Sequence, residues 1–178
     1  MRSYFPLKVH THFSLGLGLS MPRHVARRCR KLSLPGSVIT DIDSISGSID
    51  FLDTMKDLKP IIGCEFTLVK SYETKTKDCG TILLLAKNYD GWLSIARSIS
   101  ESNKHYYYER PHMTLDDVAK TITTGTVFAL SGWLGSEIGN KIFSDSKQIY
   151  LSSSYESAKA LVNKDWVTEC STLIGKYK

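Results

Sequence analysis

Short apolar runs alternate with segments of helical period through the first 130 or so residues. The runs at 6–11 (PLKVHT), 37–40 (SVIT), 60–69 (PIIGCEFTLV), 81–86 (TILLLA) and 127–130 (VFAL) predict five strands. Between them, Val25, Ala26, Cys29 and Leu32 recur at helical spacing and predict a helix over 22–33. Ser20 supplies a hydroxyl cap for it, Pro22 fits its first turn, and Pro35-Gly36 ends it. Ile49, Phe51, Leu52, Met55 and Leu58 predict a second helix. Trp92, Ile95, Ala96 and Ile99 predict a third behind an Asn88 cap, and Thr114 caps a fourth, LDDVAKTI. The polar stretch KSYETKTKDCG at 70–80 reads as a hairpin turn or loop. Beyond Gly139 the pattern weakens to a strand at 149–151 and helices at 154–163 and 166–174.

Continuous apolar strands alternating with amphipathic helices predict a parallel sheet in an α/β fold. Such folds gather their chemistry at the C-terminal ends of strands. With 178 residues, 42% hydrophobic and 23% charged, the chain reads as one soluble globular domain over 1–178. No apolar run approaches the roughly 20 residues that span a bilayer. The opening MRSYFPLKVHTHF has no apolar signal-peptide core, so the expected compartment is the cytoplasm. Four cysteines, at 29, 64, 79 and 170, form no CxxC pair and read as reduced thiols.

The net charge of +5 is compatible with a polyanionic partner without requiring one. Basic residues concentrate in RHVARRCRK at 23–31, where Arg23, Arg27 and Arg28 either meet a phosphate backbone or form a solvated helix face. Tyr107, central in a run of three tyrosines, either stacks on single-stranded bases or belongs to a surface loop.

The stretch VHTHFSL places His10 and His12 two residues apart. In a strand such residues share a face, so the pair can converge on one metal ion. Asp41 and Glu65 close two further apolar runs. A carboxylate in the setting of Glu65, flanked by Gly63-Cys64 and Phe66, must be paired, protonated or metal-bound. Its alternative role is a salt bridge; that of Asp41 is a cap or turn residue ahead of Ser44 and Ser46.

The strings VHTHFSL, VITDIDSISGSIDF, KPIIGCEF, ILLLAKNYDGW and ALSGWLGSEIG follow one another in an order that resembles the PHP (polymerase and histidinol phosphatase) domain. More narrowly, they resemble the N-terminal PHP domain of bacterial-type DNA polymerase III alpha subunits, over 7–139, with a weaker match over 140–178. The resemblance implies a distorted (β/α)7 barrel, here incomplete at its C-terminus. It also implies a cluster of divalent ions (Zn, Mn or Fe) at the strand ends, supporting phosphoester hydrolysis or 3′–5′ exonuclease proofreading. By position, His10, His12, Asp41 and Glu65 match metal ligands of the family. Other ligand positions are lost: Ile42, Leu17, Thr81 and Trp133 stand where the family carries His, Asp, His and Cys.

The resemblance thus implies a reduced or absent cluster. The expected function is a PHP module of a replicative DNA polymerase, mainly a scaffold with a degenerate metal site, that meets DNA indirectly. Its expected partner is the remaining polymerase polypeptide or another replisome subunit, with no membrane involved. The alternatives are a metal-dependent phosphoesterase with exonuclease activity and a standalone small-molecule phosphatase.

Overall fold

A computed structural model describes residues 4–73, 80–106 and 110–131. Four helices and four strands follow in the order α1 (Pro22–Lys31), β1 (Gly36–Ile39), α2 (Ser48–Thr54), β2 (Lys59–Leu68), β3 (Gly80–Ala86), α3 (Tyr89–Ser102), α4 (Leu115–Ile122) and β4 (Val127–Leu130). A short 3-10 turn, Asn103–His105, follows α3. The fold is mixed α/β, with one sheet in the order β1-β2-β3-β4. The elements expected beyond residue 131, together with Cys79, Tyr107, Trp133 and Cys170, lie outside the described residues.

Caps and turns carry much of the local encoding. The Asn88 side chain accepts from the Gly91 amide at 2.9 Å and starts α3. Thr114 and Asp117 form a reciprocal capping box on α4. Helix α1 begins at Pro22 as expected, but its N-cap is Met21 and not Ser20; the Met21 amide donates to His24 Nδ1 at 3.3 Å. The helix stops at Lys31, and Ser33 turns the chain with a positive φ of 52°.

Two expectations are corrected. The sheet is not uniformly parallel. β1 and β2 are parallel, with Val38 opposite Ile61, but β2–β3 and β3–β4 are antiparallel. The polar link from Leu68 to Gly80 is too short for a crossover helix, which takes a dozen or more residues, so the chain returns as a hairpin. Between β3 and β4 the chain passes through two helices rather than one, and it re-enters the sheet reversed. The second correction concerns residues 6–11, which form no strand. Thr40 N donates to the Val9 carbonyl at 2.9 Å, but the Val9 amide is taken by Thr40 Oγ1 at 2.8 Å. A side chain has replaced the next rung of the ladder.

Alternation along β2 and β3 divides the sheet into two faces. Cys64, Phe66, Leu68 and Leu84 pack with Ile95, Met113, Val118 and Val127 beneath α3 and α4. Ile39 and Ile62 pack with Ala26, Cys29, Phe51 and Met55 beneath α1 and α2. Val38, Leu83 and Leu85 form a smaller third cluster, joined by Val9 and Ile61. Glu65 stands opposite Leu83 in the register, so it lies on the face of this third cluster, away from the helices. That face positions the candidate site.

Candidate functional site

The parallel pairing of β1 with β2 extends past Ile39 into residues 41–43, and this brings the two carboxylates together. Glu65 N donates to the Asp41 carbonyl at 3.0 Å, and Asp43 N donates to the Glu65 carbonyl at 2.8 Å. Ile42 forms the bridge between them. The segment at 8–14 then crosses this end of the sheet and supplies a partner to each carboxylate.

Asp41 is enclosed by neutral donors. Thr11 N and Ser14 Oγ both donate to Oδ1 at 2.6 Å, and Thr11 Oγ1 donates to Oδ2 at 2.7 Å. Ser14 Oγ also accepts from Ile42 N at 3.1 Å, locking the segment to the strand end. The turn that follows presses close: a Cβ on Gly18 would lie 1.9 Å from the Thr11 carbonyl oxygen, which only glycine avoids. Asp41 is therefore neither a helix cap nor a turn residue. It clamps the segment at 11–14 in place.

Glu65 is met by an ammonium and an imidazole. Lys8 Nζ donates to Oε1 at 2.7 Å, and His10 Nε2 lies 2.6 Å from Oε2. Burial alone pushes the Glu65 carboxyl up, but the hydrogen bonds from His10 and Lys8 together outweigh it and hold it at about 2. An ionised carboxylate only accepts hydrogen bonds, so the proton of this contact sits on His10 Nε2. Of the roles open to Glu65, the structure places it in a salt bridge with Lys8.

His12 does not join His10 on Glu65. Its Nδ1 is buried with no hydrogen-bond partner, and its ring lies 4.2 Å from that of Phe13. With no strand formed at 6–11, the alternation that would aim both histidines at one point is not imposed. The pair that does converge is Lys8 with His10, also two residues apart. Asp43 joins the same end of the sheet. It accepts from Thr67 N and Thr67 Oγ1 at 2.9 and 2.8 Å, and burial pushes its carboxyl up to about 6. Nothing in the sequence assigns a role to Lys8, Thr11, Ser14 or Asp43, although Lys8 has the same spacing to His10 as His12 has.

His10 and Glu65 are placed for each other and not for a shared ion. Two ligands of one tetrahedral zinc, each at about 2.0–2.2 Å, stand roughly 3.4 Å apart. His10 Nε2 and Glu65 Oε2 are 2.6 Å apart, the separation of a direct hydrogen bond. Among the described residues no group of three or more His, Cys, Asp and Glu side chains is disposed to hold an ion. Of the lost ligand positions, Thr81 lies on β3 opposite Thr67, on the face of Glu65, and Leu17 is exposed.

On α1, Ala26 and Cys29 face the core, while Arg23, Arg27 and Arg28 are exposed. No acidic residue stands in the first turn of this helix. Arg30 is committed elsewhere: it bonds both carboxylate oxygens of Asp57 and the Thr54 carbonyl. Among the described residues no helix is long and apolar enough to cross a membrane.

Comparison with known proteins places the chain among relatives of one kind. The sequence pattern of the PHP domain matches residues 6–172. DNA polymerase III subunit alpha of Helicobacter pylori is 28% identical over 171 residues, covering 90% of this chain and 14% of that protein. The same subunit of Buchnera aphidicola is 30% identical over 145 residues, covering 80% of this chain and 12% of the relative. The chain thus spans about one eighth of the length of the relatives it matches. A solved structure from Bifidobacterium adolescentis, assigned as a metal-dependent phosphoesterase, aligns over 56% of this chain and 33% of its own, with 23% identity and a TM-score of 0.43.

Proposed function

Because the chain belongs to the PHP domain family, we propose that it serves a DNA polymerase III alpha-like replicative polymerase as a scaffolding module whose metal site is degenerate. One observation carries this reading: Glu65 spends both carboxylate oxygens on Lys8 and His10. The similarity to the alpha subunits supports the replicative context. In this reading the partner is the remaining polymerase polypeptide or another replisome subunit, and the compartment is the cytoplasm. DNA is met indirectly, with Arg23, Arg27 and Arg28 of α1 available to the phosphate backbone.

The test is a 3′–5′ exonuclease assay on end-labelled single-stranded DNA, with Mn2+ or Zn2+ supplied, comparing the wild type with Glu65→Gln. The expected result is no cleavage above the variant's background. Nucleotide release by the wild type that Glu65→Gln abolishes would replace the scaffold with a metal-dependent phosphoesterase.

A further inference from the structure

Lys8 enters the site from the position two residues before His10, and its ammonium reaches Glu65 Oε1 at 2.7 Å. The carboxylate is buried at 1% exposure, whereas the lysine side chain keeps 27% of its surface. A buried carboxylate needs a cation or a set of strong donors. Here a covalently tethered ammonium meets the need that a bound divalent ion would otherwise meet. His10 completes the arrangement by donating to the second oxygen, so its Nε2 lone pair is occupied as well.

We propose that Lys8 is a built-in cation that takes the place of a metal ion at Glu65 and keeps the site closed to divalent metals. This rests on the degenerate-site reading and goes further, because it assigns the closure to one side chain. A tethered ammonium is present at every metal concentration, whereas an ion must first bind. The carboxylate is therefore neutralised regardless of metal supply.

The full chain is titrated with Zn2+ and with Mn2+ by calorimetry, and its metal content is measured after dialysis. Four proteins are compared: wild type, Lys8→Met, Lys8→His, and Lys8→His combined with Glu65→Gln. The wild type and the double variant are expected to stay metal-free. Lys8→His is expected to take up about one Zn2+, and Lys8→Met to show Zn2+ binding by calorimetry where the wild type shows none. If Lys8→Met is folded and stays metal-free like the wild type, whatever Lys8→His does, Lys8 is not what closes the site; the proposal falls and the degenerate-site reading stands. If the wild type itself takes up about one metal ion, both fall together.

A second measurement needs no variant that might misfold. The Lys8 ammonium should give a protected side-chain 1H–15N signal that excess Zn2+ leaves unchanged. Displacement of that signal by Zn2+ would also overturn the proposal.

Discussion

Asp41 and Glu65 stand at the same end of the sheet and are equally buried, each with 1% of its surface exposed. They are satisfied in opposite ways. Asp41 takes three hydrogen bonds from one amide and two hydroxyls, all within reach of a single short segment. Glu65 takes one from an ammonium and one from an imidazole, both on side chains that retain contact with solvent. The first arrangement fixes backbone, because its donors are short and Thr11 N is the main chain itself. The second neutralises charge, because one of its two long donors is the Lys8 ammonium. Burial alone does not separate a carboxylate that fixes backbone from one that holds a cation; the identity of its partners does.

The largest effect that tests this contrast is Asp41→Ala. It strands Thr11 N, Thr11 Oγ1 and Ser14 Oγ in a dry site, and each stranded group costs about 1–3 kcal/mol. Urea unfolding should show a loss of about 3–5 kcal/mol. Asp41→Asn keeps an acceptor for Thr11 N and Ser14 Oγ, and its amide can donate to Thr11 Oγ1 once that hydroxyl turns. It should cost about 1 kcal/mol. Equal losses for the two variants would show that the charge, rather than the donor cage, does the work.

Glu65→Gln comes next, at about 2 kcal/mol in the same assay. The loss is smaller than for Asp41→Ala because Lys8 and His10 can swing towards water once released. A double-mutant cycle of Glu65→Gln with Lys8→Met should give a coupling of about 1–2 kcal/mol, whereas Asp41→Asn with Lys8→Met should be additive within about 0.5 kcal/mol. Coupling between Asp41 and Lys8 as strong as that of Glu65 would merge the two carboxylates into one network and end the comparison. Gly18→Ala should fall near Glu65→Gln, at about 2 kcal/mol, since its methyl must push the Thr11 carbonyl aside and loosen the Asp41 cage.

Much of this arrangement was legible in the chain. The apolar runs at 37–40, 60–69, 81–86 and 127–130 all became strands, and Asn88 and Thr114 cap the helices they were expected to cap. Strand direction was not legible, because an apolar run reads the same in a parallel or an antiparallel sheet. What decides direction is the connection, here a short polar link and then a pair of helices. In the site, Glu65 was recognisable as a buried carboxylate needing a partner, but the partner was not. HxH is a pattern of ligand types and KxH is not, so the sequence points to His12 and gives no sign of Lys8. Neither Thr11 nor Ser14 could be read at all, since a hydroxyl that cages a carboxylate looks like any loop threonine or serine until the loop has folded against it.

Asp117 supplies a control outside the site and the smallest expected effect. It caps α4, accepting from Thr114 Oγ1 and Lys120 Nζ, and it also holds the Tyr72 hydroxyl. Burial raises its carboxyl, but the hydrogen bonds from Tyr72, Thr114 and Lys120 prevail and hold it below the usual carboxylate range. A carboxyl depressed in the folded chain adds stability above its unfolded value, near 3.9, and that stability is lost as the pH falls through and below it. Asp117→Ala should therefore cost about 1 kcal/mol at pH 7, with the gap between variant and wild type narrowing below about pH 4. The donors of Asp117 are mixed, part hydroxyl and part ammonium, so it stands between Asp41 and Glu65 in kind. Thermal melts across pH would place it on that scale. A gap that stays constant down to pH 2 would mean that the aspartate acts through its shape at the helix start, and that its charge contributes nothing.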